Sequence, residues 1–479
     1  MSETGINQLK REVLVRMIRA FDTDDFPENV RRIPYEMRPK GHKPPYRCCV
    51  YKEREILRSR IIAGLGTSIE QDDEMTSTAD YAKRACRRIR PEEDPLTVVE
   101  NACQGCAGSH MYVTDLCQNC VARSCINSCP FGAIRNNGGR AVIDVDKCKQ
   151  CGLCAKACSY HAIAKTVVPC ENACPVGAIS KDEGGFAHID FDKCITCGKC
   201  VAACPFGAVH PKSQLIDVLQ KMKIREPVVA LVAPAVMGQF TGTPEQVHTA
   251  LKKAGFSHVM EVAVGADITI KNEAKELKER LDKGQAFMTT SCCAAYNELI
   301  QKHIPDLKRF ESDTKTPLYY TLEVAAKKYP GATLVFISPC FAKIKEIAQQ
   351  DAVSYLMSVT ELEALFEARG IVVDKLEATP FQEVSSRGGK NFGMSSGVAS
   401  AVKHLAGDIK TDCINGLTKE AIQRLKKCAK DGVCPEAELL EVMACEGGCV
   451  GGNGTIRPCA KAIKAIKEYS AKSGEITQD

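Results

Sequence analysis

The sequence predicts an α/β protein with largely parallel sheets, joined to a smaller α+β domain dense in cysteine. Three observations carry this. From about residue 225 onward, apolar runs of strand length alternate with helical segments, the pattern of parallel strands linked by helical crossovers. Two of these runs, AFMT and ATLVFISP, end at cysteines, and α/β sheets build their sites at the carboxyl ends of strands. The 28 cysteines are bunched, with three in residues 1–100, sixteen in 101–212, none in 213–291 and nine from 292 to 459.

These shifts mark the domains: an extension over 1–100, a cysteine domain over 101–212, an α/β domain over 225–460 and a helical tail over 461–479. The extension mixes helical stretches with Pro-containing coil. RCCVYKEREILRSRIIAGLG, from Arg47, reads in part as an amphipathic helix ended by glycine. Its Cys48 and Cys49 read as packing thiols rather than ligands, and no role is read for Cys86. In the α/β domain REPVVALVAP is a buried strand, TPEQVHTALKKAG a helix ending at Gly255, and SHVMEVAVG a second strand. DITIKNEAKELKER, from Asp267, is a helix that puts Glu273, Glu276 and Arg280 at i, i+3 and i+7 on one face.

With 479 residues, 44% of them hydrophobic, the chain has material for two to four domains and a large core. Its 64 basic and 59 acidic residues are too balanced for a nucleic-acid protein. MSETGINQLKREVL is polar and mixed in charge, which predicts no signal peptide. The longest apolar run, VVALVAPAVM, is about half the ~20 residues of a membrane span. A reduced cytoplasm is therefore expected, and there cysteines serve as metal ligands rather than disulfides.

Cys148, Cys151, Cys154 and Cys158 form CxxCxxCxxxC, and Cys194, Cys197, Cys200 and Cys204 repeat it. Cys117, Cys120, Cys125 and Cys129 form CxxCxxxxCxxxC, followed by Pro130. This is the bacterial ferredoxin signature, in which three thiolates of one loop grip a [4Fe–4S] cube and the fourth cysteine ligates the other cluster of the pair. Zinc ribbons lack the third close cysteine. Cys174-Pro175 carries PVGAI, an echo of the PFGAI after Cys129, so Cys170 and Cys174 read as the second half of a motif begun by Cys103 and Cys106. One two-cluster unit is then nested inside another. The inner unit uses Cys117, Cys120 and Cys125 with Cys158, and Cys148, Cys151 and Cys154 with Cys129. The outer unit uses Cys103, Cys106 and Cys170 with Cys204, and Cys194, Cys197 and Cys200 with Cys174. Four further [4Fe–4S] clusters and an electron relay are expected.

Three downstream motifs stand apart: TSCCAAY from Thr290, SPCFAKIKE from Ser338 and MACEGGCVGGNG from Met443. Together they resemble the TSCCPxW, MPCxxKKxE and ACPGGCxxGGG motifs of [FeFe]-hydrogenases. The spelling, with Ala294 and Tyr296 in place of proline and tryptophan and Glu446 in place of proline, looks like the group B branch. The resemblance implies a two-lobed catalytic domain whose parallel sheets flank the metal site. It implies an H-cluster, a [4Fe–4S] cube joined to a di-iron subsite carrying CO, cyanide and a dithiolate bridge. Cys293, Cys340, Cys445 and Cys449 would hold the cube, with Cys449 bridging to the di-iron subsite. Cys292 would be the proton-passing thiol and Lys343 the partner of a cyanide. Ala233, Pro234, Phe392 and Met443 fit the surrounding positions, and Glu346 matches the glutamate of the second motif, as a salt-bridge or second-path residue. The implied proton order is Cys292, Glu273, Ser312, Glu276, then bulk water. Ser338 stands where the family has a methionine, and Leu318 where a glutamine is usual.

The implied activity is 2H⁺ + 2e⁻ ⇌ H₂, in the cytoplasm of an anaerobic bacterium, with a ferredoxin or flavodoxin as electron carrier and di-iron maturation proteins as partners. The alternative is a hydrogenase-like assembly scaffold or H₂ sensor without significant turnover. Such relatives lack the proton cysteine, whereas Cys292, Lys343 and the acidic helix are all present. An NAD-linked enzyme is disfavoured because no dinucleotide fingerprint occurs. Cys413, Cys428, Cys434 and Cys459 read as free or packing thiols.

Overall fold

The computed structural model describes residues 5–43, 46–89, 94–349 and 354–477. The opening MSET and the last two residues of the expected tail lie outside the described residues. Four helices make up the extension: α1 (Gly5–Phe21), α2 (Phe26–Met37), α3 (Val50–Gly64) and α4 (Thr78–Arg87). Ser77 caps α4 through the N–H of Asp80, and Asp25 does the same for α2 through Glu28. Their apolar faces, with Met17, Ile18, Val30 and Ile61, share one core with the α/β domain. Arg11 pairs with Glu363 and Glu367, and Arg369 with Asp22, across that junction.

Eight short strands follow: β1 (Leu96–Val98), β2 (His110–Val113), β3 (Ile134–Asn136), β4 (Ala141–Ile143), β5 (Ile163–Thr166), β6 (Ile179–Lys181), β7 (Ala187–Ile189) and β8 (Val209–Pro211). They pair antiparallel as β1 with β8, β2 with β5, β3 with β4 and β6 with β7. The β2–β5 pair thus closes off an inner unit within the span that β1 and β8 close.

The α/β domain holds two sheets. The first has β9 (Val228–Val232), β10 (His258–Glu261), β12 (Thr333–Ser338) and β13 (Ser354–Ser358), in order β10-β9-β12-β13. The second has β11 (Met288–Thr289), β14 (Thr411–Asn415) and β15 (Leu439–Met443), in order β11-β15-β14. Every pairing in both is parallel. All five residues of β9 are buried, as expected of a parallel strand covered on both faces. The two-lobed α/β architecture beside a ferredoxin-like α+β domain is therefore what the chain adopts.

Two local expectations are corrected. The strand in SHVMEVAVG stops at Glu261, because the 20-residue helix Ala263–Asp282 takes over the AVG. A small residue is needed there: a Cβ on Gly265 would meet Pro317 O at 2.1 Å. The tail is helical only over Cys459–Ser470, and residues 471–477 form no helix. Among the described residues no helix is long and apolar enough to cross a membrane.

Candidate metal centre and proton route

β11, β12 and β15 point their carboxyl ends at one region between the two sheets. TSCC follows β11, Cys340 follows β12 after Pro339, and Cys445 and Cys449 follow β15. Cys293, Cys340, Cys445 and Cys449 lie within electrostatic reach of one another: Cys293 raises the pKa of Cys340, Cys445 and Cys449, and Cys340 raises that of Cys445 and Cys449. Burial, the larger cause, together with these neighbours, pushes Cys340 up to about 11 and Cys449 up to about 12. Thiols of that kind stay protonated near neutrality unless a cation compensates them, and a bound metal ion deprotonates them outright. Among the described residues no three His, Cys, Asp or Glu side chains are set to hold a single ion. An all-sulfur set on four loop positions instead suits an iron–sulfur cluster. Backbone packing is tight beside it: Gly448 has φ +79°, and a Cβ there would come 2.7 Å from Gly393 O. The residues fit the implied cube.

Cys292 is buried in an apolar cluster with Phe392 and Met443. Burial raises its pKa well above the ordinary thiol value, and Glu273, Cys293 and Glu441 add to the rise. Lys343 is buried and ion-paired with Glu346. Burial pulls its pKa down, but Glu346, Cys340 and Cys292 outweigh that and hold it above its usual value. Glu346 also accepts from Thr316 Oγ1. Of the two roles read for Glu346, the geometry matches the salt bridge. Ala233 follows β9, with its N–H on Ile337 O, and Pro234 opens the turn beyond. Leu318 is buried in the core of the first sheet. Ser338 braces the ligand loop that follows it, its Oγ accepting from Cys340 N at 3.2 Å.

The acidic face of the Ala263–Asp282 helix divides into two environments. Glu273 is fully buried. Its Oε1 accepts from Ser291 N at 3.4 Å, and among the described residues Oε2 has no hydrogen-bond partner. Burial first, then Glu276 and Glu441, push its pKa up to about 8. Glu276 is saturated: it accepts from Ser312 Oγ at 2.6 Å, Asp313 N at 2.8 Å and Thr314 Oγ1 at 2.7 Å, and pairs with Arg280 at 2.6 Å. Burial raises its pKa, but these donors outweigh it and leave the carboxyl below its ordinary value. A polar cleft of about 620 Å³, lined by Ser291, Ser312, Thr314 and Glu346 among others, opens beside this pair.

In the cysteine domain one cavity is lined by Cys129 with Cys148, Cys151 and Cys154, and another by Cys174 with Cys194, Cys197 and Cys200. Cys125 lies within electrostatic reach of Cys158 and Cys120, and Cys170 of Cys204. Each observation joins cysteines of one expected quartet. Of the remaining thiols, Cys459 packs against Gly447 and Gly451 of the loop that carries Cys445 and Cys449. Cys428 and Cys434 are buried neighbours under the second sheet, and Cys48 and Cys49 sit 3.8 Å apart on the extension.

Three residues escaped the sequence reading. Asn453 Nδ2 donates to Cys197 O at 2.8 Å and lies 3.9 Å from Cys445 Sγ, so one side chain touches a cysteine of each domain. The only clue was an asparagine where the third motif usually has glycine. Lys302 Nζ donates to Phe191 O at 2.9 Å and Cys194 O at 2.8 Å, clamping the same junction. Glu441, fully buried, accepts from Ser396 N and Ala399 N, both at 2.8 Å, at the start of the Gly397–Ala406 helix.

Residues 226–413 match the family described as the iron only hydrogenase large subunit, C-terminal domain. Residues 110–159 and 169–208 each match a 4Fe-4S dicluster domain. The chain is 28% identical over 372 residues to iron hydrogenase 1 of Clostridium pasteurianum, covering 65% of this chain and 64% of that protein. It is 27% identical over 292 residues to an NADP-reducing hydrogenase subunit of Solidesulfovibrio fructosivorans, covering 47% and 49%. The chain thus spans just under two thirds of the first relative and about half of the second. Among solved structures, an [FeFe]-hydrogenase of Chlamydomonas reinhardtii aligns with a TM-score of 0.42 at 22% identity, over 53% of this chain and 87% of that one.

Proposed function

From a chain that carries the iron-only hydrogenase C-terminal domain behind two 4Fe-4S dicluster domains, and so is a relative of the [FeFe]-hydrogenases, we propose an enzyme that interconverts protons, electrons and H₂. The observation that carries this reading is the gathering of Cys293, Cys340, Cys445 and Cys449 in one place, with Cys292 and Lys343 beside them. Four thiols suffice for the cube, which leaves Cys292 free to move protons. When bound, the H-cluster supplies the redox chemistry of H₂. This chain's residues do the rest. Lys343 is a fixed cation for an anionic ligand, kept charged by Glu346. Cys292 holds a proton in a water-poor pocket, and Glu273, with its raised pKa, holds the next. Ser312 lines the cleft to solvent and donates to Glu276 behind it.

Electrons would come from a ferredoxin or flavodoxin in a reducing cytoplasm and pass through four [4Fe–4S] clusters. The two dicluster matches and the two cysteine-lined cavities support that number. Infrared spectra of anaerobically matured protein test the reading. Bands of iron-bound CO and cyanide, with H₂ evolution from a reduced dye, are expected. A full set of cubes without those bands would favour a scaffold.

A further inference from the structure

The extension places cations against one cluster of the relay. Arg60, on α3, is 3% exposed. Its Nη2 donates to Phe206 O at 3.2 Å, while Nε and Nη1 have no hydrogen-bond partner. A buried guanidinium left so is strongly unfavourable unless an anion compensates it. Among the described residues no carboxylate is bonded to it. Glu53, buried on the same helix, is taken by Arg38 and by the N–H groups of Tyr46 and Arg47. Among Arg60's charged neighbours, Arg47 opposes its charge and the Cys204 thiolate favours it. Lys10 follows one turn after Ile6 on α1, whose Cγ2 lies against Gly207. Burial first and then Arg60 lower its pKa to about 7, so it carries its charge there only with the help of an anion, and Cys204 and Cys200 pull in that direction.

The approach is close. Gly207, three residues past Cys204, has φ +61°, and a Cβ there would meet Ile6 Cγ2 at 2.8 Å and Arg60 Nη2 at 3.2 Å. Arg47 lies over the Phe206 ring at 5.6 Å and donates to Ala102 O, one residue before Cys103. Both ends of the quartet Cys103, Cys106, Cys170 and Cys204 are therefore gripped by basic side chains of the extension.

We propose that Lys10 and Arg60 form a cationic collar that offsets the negative charge of the cluster held by Cys103, Cys106, Cys170 and Cys204 and raises its reduction potential. This rests on the four-cluster reading above. A cube held by four thiolates is an anion, and reduction adds one electron without making or breaking a bond. A desolvated cation beside it stabilises the reduced form more than the oxidised one. The extension is thereby part of the electron relay rather than a packing appendage.

The test uses the full-length chain with its clusters, titrated with dithionite and followed by electron paramagnetic resonance. Cys204→Ser identifies the signal of this cluster by its loss or change. In Arg60→Met the reduced-to-oxidised ratio at a fixed potential should fall about tenfold, a midpoint about 59 mV lower for one electron. Lys10→Met should move it the same way, and Arg60→Lys should keep most of the wild-type value, which a purely steric role would not predict. The other cluster signals should stay in place. Should Arg60→Met fail to fold, Lys10→Met reads the same quantity. An intact signal at the wild-type potential in the foldable neutral variants overturns the collar. A Cys204→Ser protein with every signal unchanged overturns the cluster assignment beneath it.

Discussion

The backbone N–H of Ser291 donates to Glu273 Oε1 at 3.4 Å, and among the described residues Glu273 Oε2 has no hydrogen-bond partner in its fully buried site. A carboxyl that poorly satisfied is held protonated, with its pKa pushed up to about 8. It can therefore donate at neutral pH and be recharged from the cleft. Glu273→Gln is expected to lower dye-driven H₂ evolution by about 10²–10⁴-fold, the usual contribution of a positioned proton relay, with the CO and cyanide bands retained. The same shift has a stability sign. Unfolded, the group titrates near 4.5; folded, at about 8. Between those values the native state binds more protons, so wild-type stability falls as pH rises. The gain in thermal midpoint of Glu273→Gln over wild type should therefore grow from pH 5 to pH 8. A pH-independent difference would refute the buried acid.

The adjacent thiols should behave differently. Cys293 lies with the quartet, whereas Cys292 packs against Phe392 and Met443 and senses Glu273. Cys293→Ala is expected to lose the H-cluster cube, and with it about four irons. Cys292→Ala should keep the cube and lose turnover. Cys292→Asp should retain more activity than Cys292→Ala, because a carboxyl can still donate a proton. Equal loss of iron in both alanine variants would contradict the assignment.

Spacing made the ligand sets legible, because each ferredoxin loop is a local device of a dozen residues or so and its pattern survives any tertiary context. Strand-end cysteines were legible for the same reason: β12 announces itself by its apolar run, and Cys340 follows it. What escaped depends on contacts between remote segments. Asn453 meets Cys197 across 256 positions, and Arg60 meets the turn after Cys204 across 146. No periodicity encodes such meetings. The helical face of Glu273 and Glu276 was visible, but not that one carboxyl is starved of donors and the other saturated. That difference is made by the loop 312–314, which gives most of its donors to Glu276.

Nesting of the two ferredoxin-like units predicts a count. Full-length protein reconstituted with iron and sulfide, without the di-iron subsite, should hold about twenty irons, in five cubes of four. Cys129→Ala and Cys174→Ala each remove a cysteine that lines a cavity with three others. Each should therefore lower the count by about four. A wild-type value near twelve would mean that the quartets are not all built.

Glu276 gives the opposite pH behaviour to Glu273. Ser312, the N–H of Asp313, Thr314 and Arg280 hold its carboxyl below the ordinary value of 4.5 despite partial burial. A depressed carboxylate stabilises the fold above its unfolded pKa, and that stability is lost as pH falls through the folded value. Removing the charge should cost roughly 2 kcal/mol near neutrality, the scale of a hydrogen-bonded ion, and far less below pH 4. Glu276→Gln should therefore show a lower thermal midpoint than wild type at pH 7, with the two curves converging in acid. Its H₂ evolution should fall less than that of Glu273→Gln, because the cleft brings water to Ser312 directly. If Glu276→Gln matched wild-type stability at pH 7, the loop 312–314 would be held by other contacts, and Glu276 would be free to act as a proton carrier alone.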